Sequence, residues 1–175
     1  MKDRRGFTLI EIMIALTILG IMVVIGTTNL QLWQSHYSAV GFQREFLSLA
    51  NEARTRSMGT SFQHRLLIEK SAGRVTLQRW ESGIGPWVNA AQPVVGSRGA
   101  GIENMVSTPG GTVSTDFALL YNPDGEVLVQ TTLAGTTGSP LTEAYVHITA
   151  TNAADQATIR VFGWTSKARL ANGWL

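Results

Sequence analysis

The chain has 175 residues, no cysteine, 14 basic and 12 acidic side chains, and a formal charge of +2. That length suits one domain plus an anchor, and the missing cysteine excludes disulfides and cysteine-ligated metal. Residues 1–6 hold three of the basic side chains and one of the acidic ones, so the rest carries eleven of each. The positive formal charge therefore says little about an anionic partner.

Residues 7–30 form an apolar run behind Lys2, Arg4 and Arg5, and Glu11 is its one charge. As a helix rising 1.5 Å per residue the run would be about 36 Å long, enough to cross a bilayer core of about 30 Å. The basic residues in front keep the N-terminus cytoplasmic and send the remainder across. A secretory signal peptide would be shorter in its apolar part and followed by a small-residue cleavage site. Here the chain continues amphipathically through Gln31, Leu32 and Trp33, so the helix reads as retained. An acid at the centre of a membrane helix costs about 2.5–3.5 kcal/mol, less near an end. Glu11 reads either as an acid snorkelling towards the headgroups or as a paired, functional group.

The stretch Gly6-Phe7-Thr8-Leu9-Ile10-Glu11 resembles the class III leader junction of type IV prepilins and type II secretion pseudopilins. Gly20, Ile21 and Met22 fit the same pattern. The resemblance implies a cut between Gly6 and Phe7 by the prepilin peptidase on the cytoplasmic side, then N-methylation of Phe7. It implies that Glu11 meets the N-terminal amine of a neighbouring subunit during assembly. A carboxylate and an ammonium that both lose water offset each other's penalty by pairing. The implied partners are other pilins or pseudopilins in a helical filament and its tip complex, the peptidase and methyltransferase, the inner-membrane assembly platform and the lipid bilayer. No cofactor is implied. Thr28 stands where many relatives carry Pro, which leaves open whether the helix kinks.

Beyond the anchor the pattern stays helical. Trp33, Tyr37 and Val40 are spaced i, i+4, i+7, and Phe42, Phe46, Leu49 and Ala53 repeat the spacing. Gln43, Arg44, Asn51, Glu52, Arg54 and Arg56 fall largely on other faces. Gly59 reads as a stop signal. The alternative is two helices broken near Gly41. The predicted organisation is a leader at 1–6, a transmembrane and assembly segment at 7–32, the soluble amphipathic half of the helix at 33–59, and a periplasmic β-rich domain at 60–175.

Residues 62–70 and 74–80 alternate apolar and polar around Ser71-Ala72-Gly73 and predict a hairpin. Residues 82–116 are rich in Gly, Ser, Thr and Pro and predict short strands with long loops. Residues 116–121 and 126–133 flank Asn122-Pro123-Asp124-Gly125, which is good turn chemistry. After a further loop at 133–141, residues 143–150 and 157–164 predict a second hairpin pair. The fold class is α+β: a pilin-like long N-terminal helix packed on a C-terminal antiparallel β-sheet or sandwich lobe. The strand leading into residues 121–125 and the late Arg-bearing strand end resemble the GspH/FimT subgroup.

Candidate chemistry is thin. His36, His64 and His147 lack metal-ligand spacing, and the latter two read as packed or solvent-facing strand residues. No Gly-x-Ser-x-Gly elbow marks a nucleophile. Asp124 and Glu126 lack the successive oxygen ligands of a calcium loop and read as turn residues. Arg160, Lys167 and Arg169 are the only basic residues after residue 98, interleaved with Trp164 and Trp174. Ser166-Lys167-Ala168-Arg169 is similar in placement to the Gly-Arg-x-Arg tail motif associated with DNA binding in FimT-like minor pilins, with Ser for Gly and Lys for Arg. Lys can meet phosphate, but three cations are a small footprint, so a solvated strand end or a contact with a neighbouring pilin is the favoured reading. The expectation is a non-enzymatic minor pseudopilin of a type II secretion system. The alternative is a FimT-like minor type IV pilin that binds DNA during uptake.

Overall fold

The computed structural model describes residues 8–81 and 86–174. The chain divides into two units, Met1–Gln34 and Ser35–Leu175. Helix α1 spans Leu9–Thr60 and contributes residues to both.

In the first unit, between residues 9 and 24, the helix is apolar apart from Glu11 and Thr17. Each large apolar side chain described between residues 9 and 24 is exposed, from 49% at Ile18 to 77% at Leu9. The hydroxyls of Thr17 and Thr27 donate to the carbonyls of Met13 and Val24, so these two polar side chains are satisfied within the helix. Among the described residues no helix is long and apolar enough to cross a membrane. Described large apolar side chains, interrupted by Glu11 and Thr17, extend over residues 9–24, about 24 Å of helix against a bilayer core of about 30 Å. The apolar run read from the sequence, residues 7–30, is longer.

In the second unit α1 buries one stripe: Ala39, Phe42, Phe46, Leu49, Ala50 and Ala53. The backbone is helical through Gly41, so the alternative of a break there does not hold. Tyr37, placed by spacing with this stripe, is 57% exposed. Five residues separate it from Phe42, which turns the helix by about 140° and puts the two on different faces. Trp33, in the first unit, is also exposed. Gln43, assigned to an outer face, is buried and donates to the Asp155 carbonyl at 2.6 Å. Gly59 is still helical; α1 ends at Thr60, and Ser61 takes the left-handed conformation (φ 58°) that commonly follows a helix.

The strands in chain order are β1 (His64–Glu69), β2 (Arg74–Trp80), β3 (Trp87–Asn89), β4 (Val94–Val95), β5 (Gly101–Thr108), β6 (Gly111–Val113), β7 (Phe117–Tyr121), β8 (Val127–Gln130), β9 (Ser139–Pro140), β10 (Glu143–Thr149), β11 (Ala157–Phe162) and β12 (Ala168–Asn172). They form two antiparallel sheets. One runs β3-β2-β1-β7-β8-β9, with β4 also on β2; the other runs β12-β11-β10-β5-β6. The three predicted hairpins are present: β1 with β2, β7 with β8, and β10 with β11.

Residues 101–108, within the stretch read from the sequence as short strands with long loops, form one eight-residue strand inside the second sheet. The reason is a bulge. His147 pairs with Asn104 but Ile148 pairs with Ile102, so Glu103 is extra. One inserted residue breaks the two-residue alternation by which a strand is recognised.

Both sheets and α1 share one core, in which Phe46, Leu66, Ile68, Leu77, Phe117 and Ile159 are fully buried. β7 is buried on both faces. Polar side chains hold the following loop over its outer side: the Gln130 amide reaches the carbonyls of Ala134, Gly135 and Thr137. Arg65, 6% exposed, donates to Gln78, Gln130 and the Leu133 carbonyl and lies 4.4 Å from the Trp87 ring centroid. Burial lowers its pKa to about 10.

Tyr121 is wholly buried and its hydroxyl has no hydrogen-bond partner. Tyr121→Phe is therefore expected to leave stability unchanged or raise it by about 1 kcal/mol. Phe46→Ala is expected to cost about 3–5 kcal/mol. Urea unfolding of the full chain in detergent, followed by tryptophan fluorescence, measures both.

Candidate processing and assembly site

Gly6 and Phe7, the predicted cleavage pair, lie outside the described residues, as does the leader. The first described residue at this end is Thr8. Its Oγ1 accepts the Glu11 N–H at 3.3 Å, and its carbonyl accepts the N–H groups of Glu11 and Ile12. Thr8 is thus the N-cap of α1. Thr-x-x-Glu is the capping-box spacing, a signal present in the sequence that the motif reading passed over. Glu11 is fixed in the first helical turn, where a carboxylate favours the positive end of the helix dipole.

Glu11 is the only Asp, Glu, Lys or Arg between residues 8 and 43. It borders a groove of about 310 Å³ whose other walls are Ile12, Ala15, Leu16 and Leu19. Ala15 and Leu19 follow Glu11 at four-residue steps, so they share its face. The small Ala15 leaves a notch with a carboxylate at one end and branched apolar side chains around it. A ligand suited to that notch is mostly apolar and carries one cation. It could be another apolar helix ending in an amine.

Arg160 and Arg169 sit on strands of the second sheet, and Lys167 lies just before β12. Arg160 on β11 pairs across the ladder with Tyr145 and with Arg169. Its guanidinium makes a two-pronged bond with Glu143, Nε to Oε2 at 3.2 Å and Nη2 to Oε1 at 2.5 Å, and lies over Phe162 and Tyr145. The Tyr145 hydroxyl adds a third bond to Glu143. Arg160 is thus spoken for. Lys167 and Arg169 are exposed, with Arg169 5.9 Å from the Phe162 ring centroid.

The histidines do not gather. His36 meets the Asp155 carboxylate at 2.6 Å. His64 is buried, with Nδ1 3.0 Å from the Phe62 carbonyl. His147 stacks on Trp174 and bonds Asn104. Among the described residues no cluster of His, Cys, Asp or Glu could hold a metal ion. Asp124 accepts the Glu126 N–H at 3.0 Å, which is turn chemistry.

Residues 1–27 match the prokaryotic N-terminal methylation motif. The chain carries a type IV pilin-like prepilin signal, which indicates processing by prepilin peptidase and partnership with other pilins. No curated protein and no solved structure matches the chain.

Two groups tie lobe stability to pH. Burial, reinforced by the charges of Arg56 and Arg79 and opposed by the bond to the Phe62 carbonyl, holds His64 below the ordinary 6.5. The bonds from Arg160 and then Tyr145 hold Glu143 below the ordinary 4.5. Each pKa is lower folded than unfolded, so each contribution is complete above the ordinary value and is lost as pH falls through the folded one. Unfolding followed across a pH series should show one loss starting near 6.5, removed by His64→Gln. It should show a second below 4.5, reduced by Arg160→Gln and reduced further when Tyr145→Phe is added.

Proposed function

We propose that this chain is a structural assembly subunit, a minor pseudopilin of the GspH type in a type II secretion system. It would be cut between Gly6 and Phe7, methylated on Phe7, and held in the inner membrane by residues 7–30 as a single pass. Its N-terminus would stay cytoplasmic and its β lobe periplasmic. The assembly platform would extract it into a short pseudopilus alongside other pseudopilins. The role is mechanical rather than catalytic.

The observation that carries this reading is Glu11: one carboxylate, capped into the first turn by Thr8, beside an apolar notch. A lone acid on an apolar helix is tolerable when an ammonium comes to it. The amine of Phe7 on a neighbouring subunit has the right charge and arrives on an apolar helix of the same kind. The β-rich lobe, with its strand-turn-strand at residues 117–130, supports the GspH/FimT assignment.

The competing reading is DNA capture. With Arg160 held by Glu143, it rests on Lys167 and Arg169, and two cations supply little counterion release.

Mass spectrometry of the protein from its own cell is expected to find N-methylphenylalanine at residue 7 as the first residue. Glu11→Ala is expected to be cleaved normally yet enter filaments at least about tenfold less, because the incoming amine is left unpaired. Unchanged incorporation would overturn the assembly role. DNA retained by the full chain at low salt, and released by a Lys167→Ala/Arg169→Ala variant, would move the assignment to the FimT-like reading.

A further inference from the structure

The turn between β11 and β12 holds an indole out in water. Trp164 is 76% exposed. A loose loop would fold such a side chain back onto the nearest apolar surface, but here the backbone is pinned around it. The Gly163 N–H donates to the Thr142 carbonyl at 2.9 Å, and its own carbonyl accepts the Val127 N–H at 2.8 Å. A Cβ at residue 163 would collide with the Leu141 carbonyl. Arg54 on α1 donates its Nε to the Thr165 carbonyl at 3.0 Å and to Ser166 Oγ at 3.1 Å. The Phe162 N–H closes the turn on the Lys167 carbonyl at 3.0 Å.

Ser166 is strained as well as pinned. It adopts the left-handed conformation (φ 48°) while 1% exposed. Non-glycine residues persist there only where the surroundings over-determine them, and such residues cluster at binding sites. Rigid presentation of a large aromatic lowers the ordering cost of contact, and tryptophans held this way are frequent interface anchors.

The flanking charge states the partner's chemistry. Lys167 and Arg169 are the exposed cations that follow the turn. The sequence has only two acids beyond residue 126, and both are engaged: Glu143 by Arg160 and Tyr145, Asp155 by His36. The matching surface is an apolar slot rimmed by carboxylates. A second copy of this chain is a poor match. Among the described cavities of the lobe, the one at the end of α1 presents Arg56, His64 and Arg79, and the one beside β8 presents Gln130, Thr131, Thr132 and Ser139. The two that hold an acid have it engaged, Glu81 by Arg79 beside Phe62 and Trp80, and Asp116 by the Lys70 N–H. A nucleic acid would find two cations, and a lipid surface one indole where amphipathic binding needs a broad apolar face.

We infer that Trp164 is the anchor by which the lobe docks on a different protein subunit, one offering an apolar slot rimmed by carboxylates. This rests on the reading of the chain as an assembly subunit, and adds which face of the lobe meets the partner.

The test replaces Trp164 with the photo-crosslinker p-benzoylphenylalanine in the full chain, in its own cell. Irradiation is expected to give one adduct with another protein, the joined peptide lying beside Asp or Glu residues. Lys167→Glu/Arg169→Glu is expected to cut the adduct at least about tenfold while leaving the thermal midpoint of the purified chain unchanged. Restoration by reversing the partner's acids to lysine completes the support. Adducts with a second copy, lipid or DNA, or a yield indifferent to charge reversal, would overturn the inference. The assembly reading is judged separately, by whether Glu11→Ala blocks filament entry.

Discussion

An apolar helix surface has to be covered by something, and α1 meets that demand in two ways. From Ala39 to Ala53 the lobe supplies the cover: Phe42, Phe46 and Leu49 lie in one core with both sheets. Between residues 9 and 24 twelve large apolar side chains stay exposed. Burying each is worth about 1.5–3 kcal/mol, so the uncovered stretch represents roughly 20 kcal/mol or more. That exceeds the whole net stability of an ordinary domain, about 5–15 kcal/mol. Lipid or neighbouring helices must supply the cover, and the polar groups of this stretch are arranged accordingly. Its one threonine, Thr17, bonds its own helix, as Thr27 does just beyond it. Glu11 is the one charge it carries.

The sequence made the helix legible because its signals are local. Apolar spacing, the cap at Thr8 and the helical stretch to Thr60 each depend on a few neighbouring residues. The tight hairpins were legible for the same reason: Asn122-Pro123-Asp124-Gly125 turns β7 into β8 by its own chemistry. What escaped depends on distant pairing. β5 hid behind the bulge at Glu103, which appears only once the strand is aligned with β10. The stripe at Tyr37 was separated from the buried one by a rotation that spacing alone did not resolve. In the site, Glu11 stood out as a lone charge. The engagement of Arg160 with Glu143, seventeen residues away in sequence, follows only from the β10–β11 register.

Burial of polar groups gives the loop rich in Gly, Thr and Ser after β8 a part in the fold that the sequence reading of it as a loop did not include. Residues 131–138 close the outer side of the first sheet because Gln130 and Arg65 turn inward and take up the loop's carbonyls. A buried guanidinium without a carboxylate is unfavourable by itself, as its lowered pKa records. It is tolerated because two amide oxygens, a carbonyl and the Trp87 ring face surround it. The loop is thereby part of the folded unit, and composition gives no hint of it.

The two faces that remain open differ in what they can specify. The groove at Glu11 offers apolar contact and one charge, terms that any subunit with the same N-terminal signal satisfies. A single ionic contact in an apolar setting fixes axial register, because sliding by a residue strands both charges. It has little power to tell one subunit from another. Discrimination needs shape and charge found on few partners, and the turn at Trp164 has both: a fixed backbone, one large ring and two exposed cations. An assembly built from such chains would use the common helix to join and the lobe to choose its neighbour.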